Sequence, residues 1–94
     1  MITVTRRAGD DPLVFDVVVG EAGGVSRYRV TLTRADLARL VGARPPERLI
    51  EAAFRFLLER EPKESILARF DVSVIARYFP EFERELPRYF ADGE

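Results

Sequence analysis

The chain has 94 residues, a formal net charge of −1 and a hydrophobic content of 47%, which indicates one small globular domain. It contains no cysteine and no histidine, which excludes disulfides and thiolate chemistry and removes the commonest general base and metal ligand. We therefore predict no enzymatic activity, no cofactor and no metal site. No segment has the apolar length of a signal peptide or a membrane span, so a cytoplasmic location is predicted.

The first third of the chain predicts β-strands, because its apolar residues alternate with other residues. Strands are expected over residues 2–7, 13–19 and 25–32, with a turn cluster and a glycine-rich loop between them. Matching the apolar faces pairs Val17 with Tyr28 and sets Asp16 opposite Arg29 on the outer face. This register leaves a loop of four residues, 21–24, and predicts an antiparallel meander.

After the third strand the apolar spacing changes to three and four residues, which predicts helices. Thr33 has the position of a helix cap, and Gly42 has the position that ends a helix. A second helix is expected from Pro46 to about Arg60. Its apolar residues cover most of its circumference, so it must be covered by other elements on several sides.

The last third of the chain predicts short helices that wrap the second helix. Pro62 is expected to begin one that carries Ile66, Leu67 and Phe70, and Asp71 to cap the next. The predicted fold is α+β: a three-stranded antiparallel β-meander followed by four or five short helices packed on one face. It forms a single domain over residues 1–90, with a frayed tail over residues 91–94.

One motif in this region stands out: Glu61-Pro62-Lys63-Glu64-Ser65-Ile66-Leu67, then Phe70-Asp71, then Tyr78-Phe79-Pro80. The segment resembles one found in short bacterial proteins of unknown function, and the resemblance covers roughly the C-terminal half of the chain. It implies a bacterial, cytoplasmic origin. It implies no activity, ligand or catalytic residue.

Two surfaces carry candidate partner-binding residues. They predict a small soluble interaction or scaffold module, for which a homodimer is one expected form. The first is the outer sheet face. The second is the tail after Pro87, whose aromatics either pack in the core or stay exposed as anchors. The alternative function is nucleic-acid binding by Arg6, Arg7, Arg27 and Arg29 on the outer face. The candidate partner-binding residues are Arg27, Arg29, Val14, Val18, Tyr89 and Phe90.

Overall fold

Four strands form one mixed sheet in a computed structural model that describes residues 1–42 and 44–90. The tail predicted over residues 91–94 lies outside the described residues. The strands lie in the order β1-β2-β3-β4, and the helices cover one face of the sheet. The strands are β1 (Ile2–Arg6), β2 (Leu13–Glu21), β3 (Gly24–Leu32) and β4 (Arg69–Asp71).

The predicted antiparallel meander of β1, β2 and β3 is confirmed, together with the predicted register of β2 and β3. Val17 pairs with Tyr28, and Asp16 lies opposite Arg29. The β2–β3 connection is shorter than predicted, because Glu21 still pairs with Gly24. Only two residues, 22 and 23, make the turn, and the strands extend to it on both sides.

The fourth strand corrects the prediction of a helix that carries Leu67 and Phe70. A 3₁₀ turn, Lys63–Ser65, follows Pro62, and the chain then extends into β4, which pairs in parallel with β3. The alternation of this segment explains the outcome. Phe70 points toward the core, whereas Arg69 and Asp71 lie on the other face, which is the period of a strand.

The helices follow the predicted caps. They are α1 (Arg34–Val41), α2 (Pro46–Leu58), α3 (Ile75–Tyr78) and α4 (Phe82–Glu85), with 3₁₀ turns at Val72–Val74 and Leu86–Tyr89. The Thr33 hydroxyl accepts a hydrogen bond of 3.2 Å from the Asp36 amide, and Gly42 follows α1 with a φ of 65°. The Asp71 carboxylate accepts one of 3.0 Å from the Ser73 amide. No helix in the described part of the chain is long and apolar enough to cross a membrane.

The α2 helix is the centre of the core, as its apolar circumference predicts. Phe54 faces the sheet and packs on Tyr28 and Phe70, with ring centroids 5.0 and 6.0 Å away. Phe56 faces the C-terminal segments instead. It contacts Phe79, Phe82 and Tyr89 at 5.8, 5.0 and 5.6 Å between centroids.

Of the two alternatives for the C-terminal aromatics, packing in the core is the one that Tyr89 and Phe90 follow. Phe90 is only 9% exposed, and the Arg44 guanidinium lies 4.1 Å from its ring centroid. Tyr89 is half-buried, and its hydroxyl donates a hydrogen bond of 2.7 Å to the Glu59 carboxylate. Both side chains close the helical layer.

Candidate functional site

The open sheet face is the surface that the helices leave uncovered. We use this name for the outward-pointing residues of β1–β4 together with Arg7, whose amide donates to the Val14 carbonyl and extends the ladder. The predicted residues Val14, Val18, Arg27 and Arg29 all lie on it. From one end to the other, its rows are Gly20 with Val25; Thr3, Val18 and Arg27; Thr5, Asp16, Arg29 and Arg69; and Arg7, Val14, Thr31 and Asp71.

Asp16 lies near the middle of the open sheet face and pairs with two arginines. Arg7 donates to one carboxylate oxygen at 2.8 Å, and Arg29 donates to the other at 3.1 Å. The Arg7 hydrogen bond is the main reason that the pKa of Asp16 lies below its usual value, and the Arg29 hydrogen bond adds to the shift. The stabilisation that this carboxylate gives is therefore present at neutral pH and is lost as the pH falls through the lowered pKa.

The Asp16 pKa gives a direct check of this pairing. We expect Arg7→Ala to raise the Asp16 pKa more than Arg29→Ala does, because the Arg7 hydrogen bond is the larger cause of the shift. The carboxyl ¹³C chemical shift of Asp16, followed by NMR as a function of pH, measures this pKa in each variant. An Asp16 pKa that stays the same in Arg7→Ala would contradict the geometry.

A shallow cleft of about 420 Å³ opens on the same face, where β4 begins beside β3. Arg27, Arg29 and Arg69 all line it, and Arg69 pairs directly with Arg29 across the parallel ladder. Arg29 is engaged by Asp16. Within residues 1–42 and 44–90, neither Arg27 nor Arg69 has an ion pair or a side-chain hydrogen bond, so both guanidinium groups can meet an external acceptor.

Arg6 does not belong to this surface, which corrects the predicted group of four arginines. It pairs with Phe15 on the helix-covered face and forms two hydrogen bonds to the Glu47 carboxylate in the first turn of α2, at 2.9 and 3.1 Å. Arg69 takes its place on the open sheet face. Arg69 is not among the predicted residues, because the spacing of Ile66, Leu67 and Phe70 predicts a helix there. The alternation of Arg69, Phe70 and Asp71 is the signal that identifies it.

An apolar groove of about 250 Å³ lies on the other side of β4, between the end of α2 and α3. Leu67 and Tyr78 border it and are 52% and 69% exposed, among the largest exposed apolar side chains in the described part of the chain. Ile66, Phe70 and Ile75 form part of its wall. Its lining also includes the polar residues Glu61 and Ser65.

Lys63 was also missed, because a lone lysine in a loop gives no signal of burial. Only 5% of its side chain is exposed, and its amine donates to the Glu64 carboxylate at 2.7 Å, which raises the Lys63 pKa. Its carbonyl accepts a hydrogen bond of 2.6 Å from the buried Tyr28 hydroxyl. These bonds anchor the turn before β4. Among the described residues, no group of three acidic side chains is close enough to hold a metal ion.

Comparison with protein-family models, with curated proteins and with solved structures finds no match for this chain. The resemblance of the segment from Glu61 to Pro80 to short bacterial proteins therefore stays a prediction. Any function has to be argued from the geometry of the open sheet face, its cleft and the neighbouring edges.

Proposed function

We propose that the protein is a non-catalytic interaction module whose open sheet face binds an acidic segment of a protein partner. The observation that carries the proposal is the pair of unengaged guanidinium groups, Arg27 and Arg69, on the rim of one cleft. Arginine presents a planar fork of donors that matches a carboxylate, and it is enriched at binding hot spots. Carboxylates of a partner would supply the acceptors that residues 1–42 and 44–90 do not supply to these two side chains.

The composition of the surface favours a protein partner over a nucleic acid. Val14, Val18 and Val25 place apolar atoms between the arginines, and Val25 is 57% exposed. Mixed apolar and arginine surface is typical of protein interfaces. A peptide offers apolar side chains between its carboxylates, whereas the backbone of a nucleic acid, the alternative prediction, offers phosphates alone to such a surface.

The buried position of Tyr28 adds to this preference. Its ring packs against Phe54 on the helix-covered face, so it is not available to stack on a base from the open sheet face. The open face carries arginine, aspartate, threonine and valine side chains, and within residues 1–42 and 44–90 none of its rows contains an aromatic residue. Single-stranded nucleic acid usually requires such a stacking platform.

A charge-reversal experiment tests the proposal. We expect a fluorescein-labelled peptide of four Glu–Val repeats to bind the wild-type protein, and Arg27→Glu/Arg69→Glu to weaken that binding at least ~10-fold. Fluorescence anisotropy measures both affinities. The affinity should also fall as salt is added, because ion pairs at a solvated rim are screened.

The matched control is Arg77→Glu/Arg84→Glu, which makes the same change in net charge on helices α3 and α4. Its affinity for the peptide should equal that of the wild type. A peptide with four Lys–Val repeats should not bind. The proposal is rejected if the two double variants behave alike, or if a single-stranded thymidine oligonucleotide of equal charge binds more tightly than the acidic peptide.

A further inference from the structure

The free edge of β1 carries a regular row of unpaired backbone groups. Met1 and Arg7 exchange backbone hydrogen bonds with β2: the Gly20 amide donates to the Met1 carbonyl and the Arg7 amide to the Val14 carbonyl, each at 2.8 Å. In an antiparallel ladder, the residues that exchange backbone hydrogen bonds with one neighbouring strand recur at every second position. The backbone N–H and C=O groups of the odd-numbered residues of β1 therefore point toward β2. The N–H and C=O groups of Ile2, Val4 and Arg6 therefore point away from the sheet.

Nothing in the described part of the chain pairs with these groups. None of the backbone hydrogen bonds between elements involves Ile2, Val4 or Arg6, and no side chain of residues 1–42 and 44–90 bonds to their backbone. Natural sheets usually protect an edge with proline, lysine, a bulge or a very short strand. β1 has five residues and neither proline nor lysine, and its one charged side chain, Arg6, is engaged by Glu47 on the helix-covered face.

The opposite edge of the sheet offers a shorter row, because β4 pairs with β3 at residues 29–31 and leaves only Val25 and Arg27 beside it with outward backbone groups. β4 has three residues and runs directly into the 3₁₀ turn Val72–Val74, which Asp71 caps. A strand this short offers too few groups to align a partner strand. The contrast leaves β1 as the edge that is built to accept another strand.

We propose that two copies of the chain associate through β1, in antiparallel register about a twofold axis at Val4. In this register Val4 pairs with the partner's Val4, and Ile2 pairs with the partner's Arg6. Each of the three pairs exchanges two N–H···O=C bonds, so all the outward groups of the three residues are satisfied. The two sheets become one sheet of eight strands, and the interface is self-complementary, as a twofold axis requires.

The side chains of β1 agree with this register. On the open sheet face, Thr3 lies beside the partner's Thr5, and threonine pairs across antiparallel strands are favourable. On the helix-covered face, the half-buried Val4 meets its own copy and covers apolar surface that one chain leaves partly exposed. The two clefts with their arginines would lie on the same face of the joined sheet.

Sedimentation equilibrium over a wide concentration range tests the dimer. Because the interface is a single strand pair, we expect a weak dimer, with a dissociation constant between about 1 μM and about 1 mM. Thr3→Lys/Thr5→Lys sets lysine beside lysine at both outer pairs, and should raise the dissociation constant at least ~10-fold. Thr3→Glu/Thr5→Lys sets glutamate beside lysine at the same two pairs, and should lower it severalfold.

The two variants share Thr5→Lys and change only exposed side chains. A difference between their dissociation constants therefore reports the pairing register and not a loss of folding. Far-UV circular dichroism checks that both remain folded. A wild-type chain that stays monomeric to about 1 mM overturns the inference, since edge pairing would then be too weak to matter. A dimer that responds equally to both variants overturns it too. The dimer and the acidic-peptide site are tested separately, because the mass in solution and the anisotropy of the peptide are independent measurements.

Discussion

Phe56→Ala should cost about 3–5 kcal/mol of the free energy of unfolding, the largest effect that we expect from a single substitution in this chain. The ring is fully buried and packs edge-on against Phe79, Phe82 and Tyr89, which belong to three separate C-terminal segments. The Arg60 guanidinium covers its face at 3.6 Å from the centroid. The total free energy of unfolding of a domain of this size is only about 5–15 kcal/mol, so the variant should keep little stability.

Urea denaturation followed by far-UV circular dichroism measures this loss. Phe56→Leu keeps most of the buried volume and should fold with a smaller loss, so the comparison survives even if the alanine variant is unfolded. Leu67→Ala, at a half-exposed position, is the control and should cost less than about 1 kcal/mol. A loss below about 1.5 kcal/mol for Phe56→Ala would show that the C-terminal segments do not depend on this ring.

Asp71→Ala should cost about 2 kcal/mol of the free energy of unfolding, because one carboxylate connects two elements. One of its oxygens accepts from the Thr31 hydroxyl on β3, and the other caps the 3₁₀ turn through the Ser73 amide. Losing both leaves β4 held by its short parallel ladder and by the packing of Phe70 on Phe54. Thr31→Val removes the hydroxyl alone and should cost roughly half as much.

Amide hydrogen exchange gives the local measurement for Asp71→Ala. The Arg29 amide donates to the Ala68 carbonyl at 2.7 Å and reports whether β4 stays docked. Its exchange should become faster than that of the amides between β2 and β3, since β4 opens first. Equal acceleration along all strands would mean that Asp71 stabilises the whole domain and does not specifically hold this edge.

Local patterns were enough to predict the meander and the caps. The Val17–Tyr28 register follows from matching two apolar faces, and the structure confirms it. Thr33, Gly42 and Pro46 act where the rules for helix ends place them. Each of these features depends on residues close together in the sequence, so a single segment contains the information that defines it.

The features that were missed depend on contacts between distant segments. β4 has three residues, which is too few for their alternation to predict a strand alone, and its strand conformation is supported by pairing with β3. Arg69 joins the open sheet face only through that pairing, and Arg6 leaves it because Glu47 on α2 engages it. Phe90 likewise becomes core because Arg44 and the end of the helical layer enclose it.

The parallel pairing of β3 with β4 has a consequence for the order in which the chain can fold. The β2–β3 hairpin closes over two residues, so its contacts cost little chain entropy. β4 must wait for a crossover that contains both α1 and α2. The cleft bounded by Arg27 and Arg69 therefore forms only when β4 pairs with β3, which is the sheet contact that costs the most chain entropy. A nascent chain that has not yet reached residue 71 lacks this cleft.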